Sequence, residues 1–534
     1  MRVVFRLLFF PVILFKAFSA FAQSNIDVLH YKFEIELSDK SDTVKGGAWV
    51  TVKFTEPTNK FRLNLVSLNG KGKGMIAYRA NEDNGVVTFA QGNDILSIWL
   101  IKPAQKNEIR TFEILYKGIP ADGLIISKNK YGDRTFFADN WPTRAHNWIP
   151  CKDEPDDKAS FEFIVTAPTH YEVISNGKKT EEKIIGPDKR LTHWVEDIPL
   201  STKIMVIGVA KFAVKEYADS PPGIPVSAWV YPQDSTTGFR NYSVAPGILK
   251  FLSDYIAPYP YNKLANVESK TIYGGMENAS CIFYEESSAS SIQTVESLLA
   301  HEITHQWFGD MASEKTFAHL WLSEGFATYF THLYIADKYG TDSMNHEMQD
   351  DRRQVIAYAK YSGRPVVDSI SQPRYLLNPN SYQRGSWVLH MLRRELGDTI
   401  FHEIIRNYYE KYEGKNADTR NFESIAEKVS GKKLDTFFNQ WLYTPDIPDL
   451  KITWHYSESE KKVHLTLEQM QKSGVFQFPI DIEISTNLAE KGFQKLWVSQ
   501  AKQTFSFPVS SKPASVIADP YTSLLYEGRV QEIK

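Results

Sequence analysis

"HEITHQWFGD", from His301 to Asp310, decides how this chain is read. Its two histidines are four apart, which on a helix puts both imidazoles on one face, roughly 6 Å apart at Cβ. Two neutral imidazoles so placed suit a borderline-soft ion such as zinc. Glu302 follows His301 directly and points toward the ion's water rather than the ion, which is the mechanical sense of H-E-x-x-H. A catalytic zinc takes a third protein ligand and keeps one open position. Glu324, in "HLWLSEGFATYF", lies nineteen residues after His305 at the start of a second amphipathic helix and is the candidate third ligand. Read separately, these pieces have plainer meanings: two satisfied histidines on a helix face, and a carboxylate stabilised by a helix N-terminus. Their combination, with "GGMEN" (Gly274 to Asn278) shortly upstream, favours metal chemistry.

The periodicity around this core changes twice. Up to about Phe212 the chain alternates, as in "HYKFEIEL" with Tyr31, Phe33, Ile35 and Leu37, and "WVTVKF" with Val50, Val52 and Phe54. Such alternation predicts strands. From about 240 to 445 the apolar spacing is helical, and Ser290 or Ser291 is expected to cap the helix that carries His301. "YTPDIPDL" brings two prolines and reads as a boundary. Beyond it "KITWHY", "VHLTLEQM" and "FPIDIEIS" alternate again and predict a small β-sandwich. The expected units are a leader over 1–22, an N-terminal β domain over 23–213, a mainly helical catalytic domain over 214–445, and a C-terminal β-sandwich over 446–534. The fold class is multidomain α+β.

The 534 residues are too many for one ordinary core. Hydrophobic residues make up 42% and charged residues 23%, the balance of a globular protein. A net charge of −3 offers neither a nucleic-acid-binding surface nor a polybasic membrane patch. The start, "MRVVFRLLFFPVILFKAFSAFAQS", has arginines around an apolar run and small residues at Ala20 and Ala22, the pattern of a secretory signal cut after Ala22. The apolar stretch is too short to span a bilayer, so no stable anchor is expected after cleavage. Only Cys151 and Cys281 are present, and both read as buried thiols. A glycan at the sequon of Asn278 would crowd the candidate site, which favours a bacterial source. The expected location is the bacterial periplasm or the extracellular space.

"GGMEN", "HEITHQWFGD" and "LWLSEGFA" together resemble the signature of the gluzincin aminopeptidases, the family of aminopeptidase N and leukotriene hydrolase. "PCKDEPDDKASF", "SYQRGSWVLHML" and "FFNQWLYTPDIPDL" are similar to further family motifs, so the resemblance runs along nearly the whole mature chain. It implies a thermolysin-like catalytic domain and one Zn2+ per chain on His301, His305 and Glu324. It implies peptide substrates with a free N-terminus, cleaved at the first bond by zinc-activated water with Glu302 as general base and Tyr382 as oxyanion donor. Gly274, Gly275 and Met276 would lie along the substrate on an edge strand, and Glu277 would hold its α-ammonium group.

Three departures stand out. Arg384 replaces the usual lysine two residues after Tyr382. Trp141 stands where many members carry a second glutamate for the substrate amine, which makes Asp139 the nearest substitute. The large C-terminal helical domain of longer members is missing, so this is expected to be a short form. Two other readings remain at this point, an inactive binding or scaffold relative and an epoxide hydrolase with side peptidase activity. The set of metal and catalytic residues argues against the first, and only the double glycine favours the second. Preferred first residue and oligomeric state are left open by the sequence.

Overall fold

In a computed structural model, residues 25–83, 85–486 and 491–533 are described. The leader expected over 1–22 lies outside them. Among the described residues no helix is long and apolar enough to cross a membrane.

The N-terminal part is built on an eight-stranded sheet whose centre pairs Ile26–Glu36 in parallel with Lys158–Pro168 and antiparallel with Val44–Phe54. Alternation explains it. Ala159, Phe161, Phe163, Val165 and Ala167 are buried on one face of Lys158–Pro168, and Tyr31, Phe33 and Ile35 are buried in its neighbour. Tyr31, Phe33, Phe163 and Trp148 then form a continuous run of stacked rings, with centroids 5.2 to 5.8 Å apart. The "PCKDE" segment is stitched onto this sheet. The Asn64 N–H donates to the Cys151 carbonyl at 2.7 Å, and the Lys152 N–H to the Tyr31 hydroxyl at 2.9 Å. Cys151 and Cys281 are both free and buried.

The middle of the chain opens with a five-stranded sheet ordered Ala213–Glu216, Val226–Val230, Leu264–Ser269, Cys281–Glu285, Gly275–Met276. Its last strand is a short edge strand, antiparallel to Cys281–Glu285 with Gly275 opposite Tyr284 and Met276 opposite Phe283. Helices follow: α1 (Glu296–His305), α2 (Trp321–Tyr339), α3 (Thr341–Ser362), α4 (Gly385–Leu396), α5 (Asp398–Tyr412) and α6 (Thr419–Ser430). The serine cap expected for α1 is not what forms. Ser290 ends a separate short helix, Glu286–Ser290, and Ser291 is spent on a local turn with Gln293. Helix α1 starts at Glu296 after Val295, and the Glu296 N–H donates to Thr294 Oγ1 at 3.2 Å.

Helix α2 is buried along most of its length and lies between α1 and α4. Its approach to α4 is set by two glycines. A Cβ on Gly325 would fall 2.8 Å from the Gly385 Cα, and one on Gly385 would fall 2.9 Å from the Gly325 Cα. Just before α4 the chain makes a π-turn, Asn380–Arg384, of the kind found at functional sites. Arg384 is fully buried and donates to the carbonyls of Thr444, Pro445 and Asp446 at 2.7 to 2.8 Å. It therefore ties the π-turn to the exit of the helical part.

The C-terminal strands form a four-stranded sheet with Asp449–Ser457 at its centre, and a three-stranded sheet around Phe478–Ser485. Ile480, Ile482 and Ile484 are buried, as their alternation predicts. These strands are fastened to the helices by His390, whose Nε2 lies 2.9 Å from the Thr522 carbonyl, and by the pair of half-buried Arg352 with buried Asp519.

Gly325→Ala tests the helix contact. Backbone faces backbone there, so neither partner can turn aside. We expect a loss of about 1–3 kcal/mol in a denaturant titration, the usual range for overpacking.

Candidate active site and metal centre

Helix α1 presents His301 and His305 on one face, and the first turn of α2 presents Glu324 opposite them. The two Nε2 atoms are 3.2 Å apart, and each lies 3.3 Å from Glu324 Oε2. A tetrahedral ion with nitrogen and oxygen ligands at about 2.0–2.1 Å spaces its donor atoms about 3.3–3.4 Å apart. The triangle thus has the size and the donor chemistry of a zinc site. These three residues are also a metal-competent cluster by proximity and type.

The orientation of His305 is fixed from behind. Its Nδ1 lies 3.1 Å from the Phe308 carbonyl and 3.0 Å from Ser323 Oγ. Donation from Nδ1 to the carbonyl leaves the Nε2 lone pair for a metal. Gly309 makes this possible: at φ +125°, its absent Cβ would sit 2.4 Å from Ser323 Oγ and 3.1 Å from His305 Nδ1. The Tyr382 ring stacks on His301, with centroids 5.8 Å apart and planes 14° apart.

Glu302 is buried between the two ligand candidates and faces the edge strand. Its carboxylate fills the space left by Gly275, where a Cβ would meet Oε1 at 2.2 Å. Glu277 lies on the same wall and forms no ion pair among the described residues. Gln306, next to His305 in the motif, fixes this strand: its Nε2 donates to the Glu277 carbonyl at 2.8 Å, and its Oε1 accepts from the Ser280 N–H at 2.7 Å.

A cavity of about 690 Å³ joins these groups, lined by Trp141, Gly274 to Glu277, His301, Glu302, His305, Glu324 and Tyr382 among others. The electrostatics reflect crowding of acids in a desolvated space. Burial, aided by Glu277 and Glu324 and opposed by His305, holds the Glu302 carboxyl well above the usual range. Burial also raises Glu277. For His305 burial favours the neutral ring, but Glu324, Glu277 and Glu302 outweigh it and push the imidazole up to about 10. Burial opposes ionisation of Glu324 too, yet the two imidazoles hold it below the ordinary carboxylate range. A bound cation would take over the charge compensation that His305 provides here.

The structure brings together every sequence-derived candidate except Asp139. That residue is buried, but both oxygens face away from the cavity. Oδ1 pairs with Arg144, while Oδ2 accepts from Thr271 Oγ1 at 3.2 Å and from the Ile272 N–H at 3.1 Å. Asp139 therefore braces the turn before the glycine strand. Trp141, two residues on, lines the cavity instead and packs edge-on to Tyr273 and Phe317. Sequence reading missed Gln306, Ser323, Lys203 and the His332–Asp351 pair. Gln306 and Ser323 had a signal, their places inside the two quoted motifs; Lys203 and the His332–Asp351 pair come from other parts of the chain.

The site therefore combines a metal-competent triangle on two helices, a glutamate between its histidines and an edge strand alongside. Residues 28–204 match the Peptidase M1 N-terminal domain, and residues 241–441 match the Peptidase family M1 domain. The chain belongs to peptidase family M1. It is 29% identical over 357 residues to Aminopeptidase M1-C of Oryza sativa subsp. japonica, covering 63% of this chain and 40% of that protein. Human Glutamyl aminopeptidase is 27% identical over 370 residues, covering 66% and 38%. Probable aminopeptidase 2 of Sulfurisphaera tokodaii is 28% identical over 455 residues, covering 80% and 55%. The chain thus spans between about two fifths and about half of the length of these relatives.

Asp139→Asn should lower thermal stability and leave KM for free-amine substrates within a few-fold. Losing a charged hydrogen bond costs about 1.5–3 kcal/mol. A rise in KM with unchanged melting temperature would return Asp139 to the substrate site.

Proposed function

We propose that the chain is an exported zinc aminopeptidase, built on a thermolysin-like catalytic unit, that removes the first residue from peptides. The observation that carries this reading is the His301–His305–Glu324 triangle with Glu302 and Glu277 on one cavity wall. A zinc ion on the triangle would supply a Lewis acid for the scissile carbonyl and lower the pKa of the attacking water.

The remaining work falls to the chain's own groups. Glu302 takes the proton of the attacking water and hands it to the leaving amine. The Tyr382 hydroxyl, on the ring that stacks on His301, donates to the oxygen that gains charge. The unpaired edge of Gly275–Met276 can align an extended peptide by main-chain hydrogen bonds. The Glu277 carboxylate then takes the α-ammonium group by a charge-assisted hydrogen bond, strengthened by the shortage of water around it. Anchoring the free terminus at Glu277 beside the His301–His305–Glu324 triangle would make the cleavage exopeptidic. Among the described residues lining the cavity, none is Lys or Arg. An acidic first residue would find no partner, so the preference in the name glutamyl aminopeptidase is not carried over. The leader-like start supports export to the periplasm or beyond.

Zinc-loaded protein should hydrolyse alanyl chromogenic amides and lose that activity with a chelator; a metal-replete chain inert on a full panel of aminoacyl amides would sink the reading. Glu302→Gln should keep stoichiometric metal while kcat falls by about 10²–10⁴. Tyr382→Phe should lower kcat by about 10²–10³ with little change in KM, as for loss of one oxyanion donor. An effect on KM alone would confine Tyr382 to ground-state binding.

A further inference from the structure

Beyond the His301–His305–Glu324 triangle, the cavity carries a fourth acid that the proposed chemistry does not use. Helix α2 runs from Glu324 along the wall, and Thr328, Thr331 and His332 line it on the same face. His332 is eight residues past Glu324, about 12 Å along the axis. Its Nε2 donates to Asp351 Oδ2, on α3, at 2.9 Å. His332 and Asp351 are both buried, at 6% and 5% exposure. Among the described residues the other Asp351 oxygen, Oδ1, takes no hydrogen bond, and it keeps access to solvent. It is therefore open to the cavity.

Among the described residues no lysine or arginine pairs with that oxygen. Arg352 turns away to Asp519 and the Leu524 carbonyl, with its guanidinium over Trp387, and Arg353 pairs with Asp350. Gln354, one turn after Asp351, is exposed and lines the same wall. The acids of the lining are Glu277, Glu302, Glu324 and Asp351, with no lysine or arginine among the described lining residues. A buried carboxylate with one free oxygen and an amide beside it is a receptor for a cation.

The direction along the cavity follows from neighbours. The Glu277 carbonyl accepts from Gln306 at the C-terminal end of α1, whereas His332 lies toward the other end, where Tyr334, two residues on in α2, donates to Glu296 at the start of α1. Glu277 and His332 thus flank the triangle from different sides. With the substrate's amine at Glu277, Asp351 faces the part of the peptide that leaves. An extended chain advances about 3.3–3.6 Å per residue, so a long side chain one or two residues past the cleaved bond covers the distance.

We propose that Asp351, oriented by His332 and flanked by Gln354, is a subsite for a lysine or arginine side chain on the first or second residue of the departing peptide. The assignment of sides rests on the aminopeptidase reading above.

The test compares Ala-Ala-Ala-Ala, Ala-Lys-Ala-Ala, Ala-Ala-Lys-Ala and Ala-Glu-Ala-Ala with the zinc-loaded chain. We expect kcat/KM roughly tenfold higher for at least one lysine peptide than for the alanine peptide, falling at high salt. Asp351→Asn should bring the lysine-to-alanine ratio to about one. Gln354→Lys, at an exposed position that folding tolerates, should reverse the preference toward the glutamate peptide. The same peptides are then titrated against the Glu302→Gln chain to read affinity without turnover. Ratios near one in both assays, or a lysine preference that survives both substitutions, overturn the subsite while leaving the aminopeptidase reading intact. Tighter binding of lysine peptides by a chain whose unsubstituted form cleaves none of the four overturns that reading and keeps the subsite.

Discussion

The structure depends on holding three ligand atoms within 3.3 Å of one another although they come from two helices. The spacing of His301 and His305 follows from helix geometry alone. The position of Glu324 does not: it requires α2 to lie against α1 on one side and against the π-turn on the other. The Gly325–Gly385 contact sets the second of these, because backbone meets backbone without a side chain between them. Gly309 and Ser323 set the orientation of His305. Since α2 is buried along most of its length, these constraints are shared with the hydrophobic core, which interdigitates too tightly to absorb a shift.

The N-terminal β part is a wall of the site rather than an appendage. Lys158 donates to the carbonyls of Asp310 and Met311 at 3.0 and 2.7 Å, capping the turn that ends the metal motif. Burial, with the help of Lys203, pushes its amine down to about 7. Lys203 itself pairs with Glu314 in a fully buried contact. Asp139 braces the loop leading into Gly274. Buried ion pairs of this kind contribute little net stability, because desolvation cancels most of the attraction. Their effect here is positional, fixing where Trp141 and the glycine strand stand relative to α1.

What was legible in the sequence was what short spacings encode. H-E-x-x-H fixes its own geometry within one helical turn, and the alternation of Tyr31, Phe33 and Ile35 fixes which face of a strand is buried. Glu324, Glu277 and Tyr382 could be named because their surroundings resemble known motifs, not because any local rule brings them to the metal. Asp139 shows the limit of that procedure. It is near the right place in sequence, but Arg144, five residues on, and Thr271, in the loop that leads to the glycine strand, compete for its oxygens and turn it from the cavity. The expected serine cap of α1 failed for a related reason. Ser291 satisfies its own turn first, and local side-chain hydrogen bonds of this type compete with helix initiation.

The remaining feature, the distribution of charge along the cavity, is invisible at the level of motifs. Glu277, Glu302 and Glu324 cluster near two imidazoles, where a divalent cation would balance them; among the described residues Asp351 has one side-chain partner, His332, on one oxygen. Each of these carboxylates is buried, and a buried charge without a partner is costly. A substrate that brings an ammonium group to Glu277 relieves one such cost, and one that also brings a basic side chain to Asp351 relieves a second. Recognition at both ends would then draw on the same physical source, the release of desolvated carboxylates from mutual repulsion. The triangle between them leaves the ends at a fixed separation, so on the proposed reading the length of peptide between the two charges would become part of what is selected.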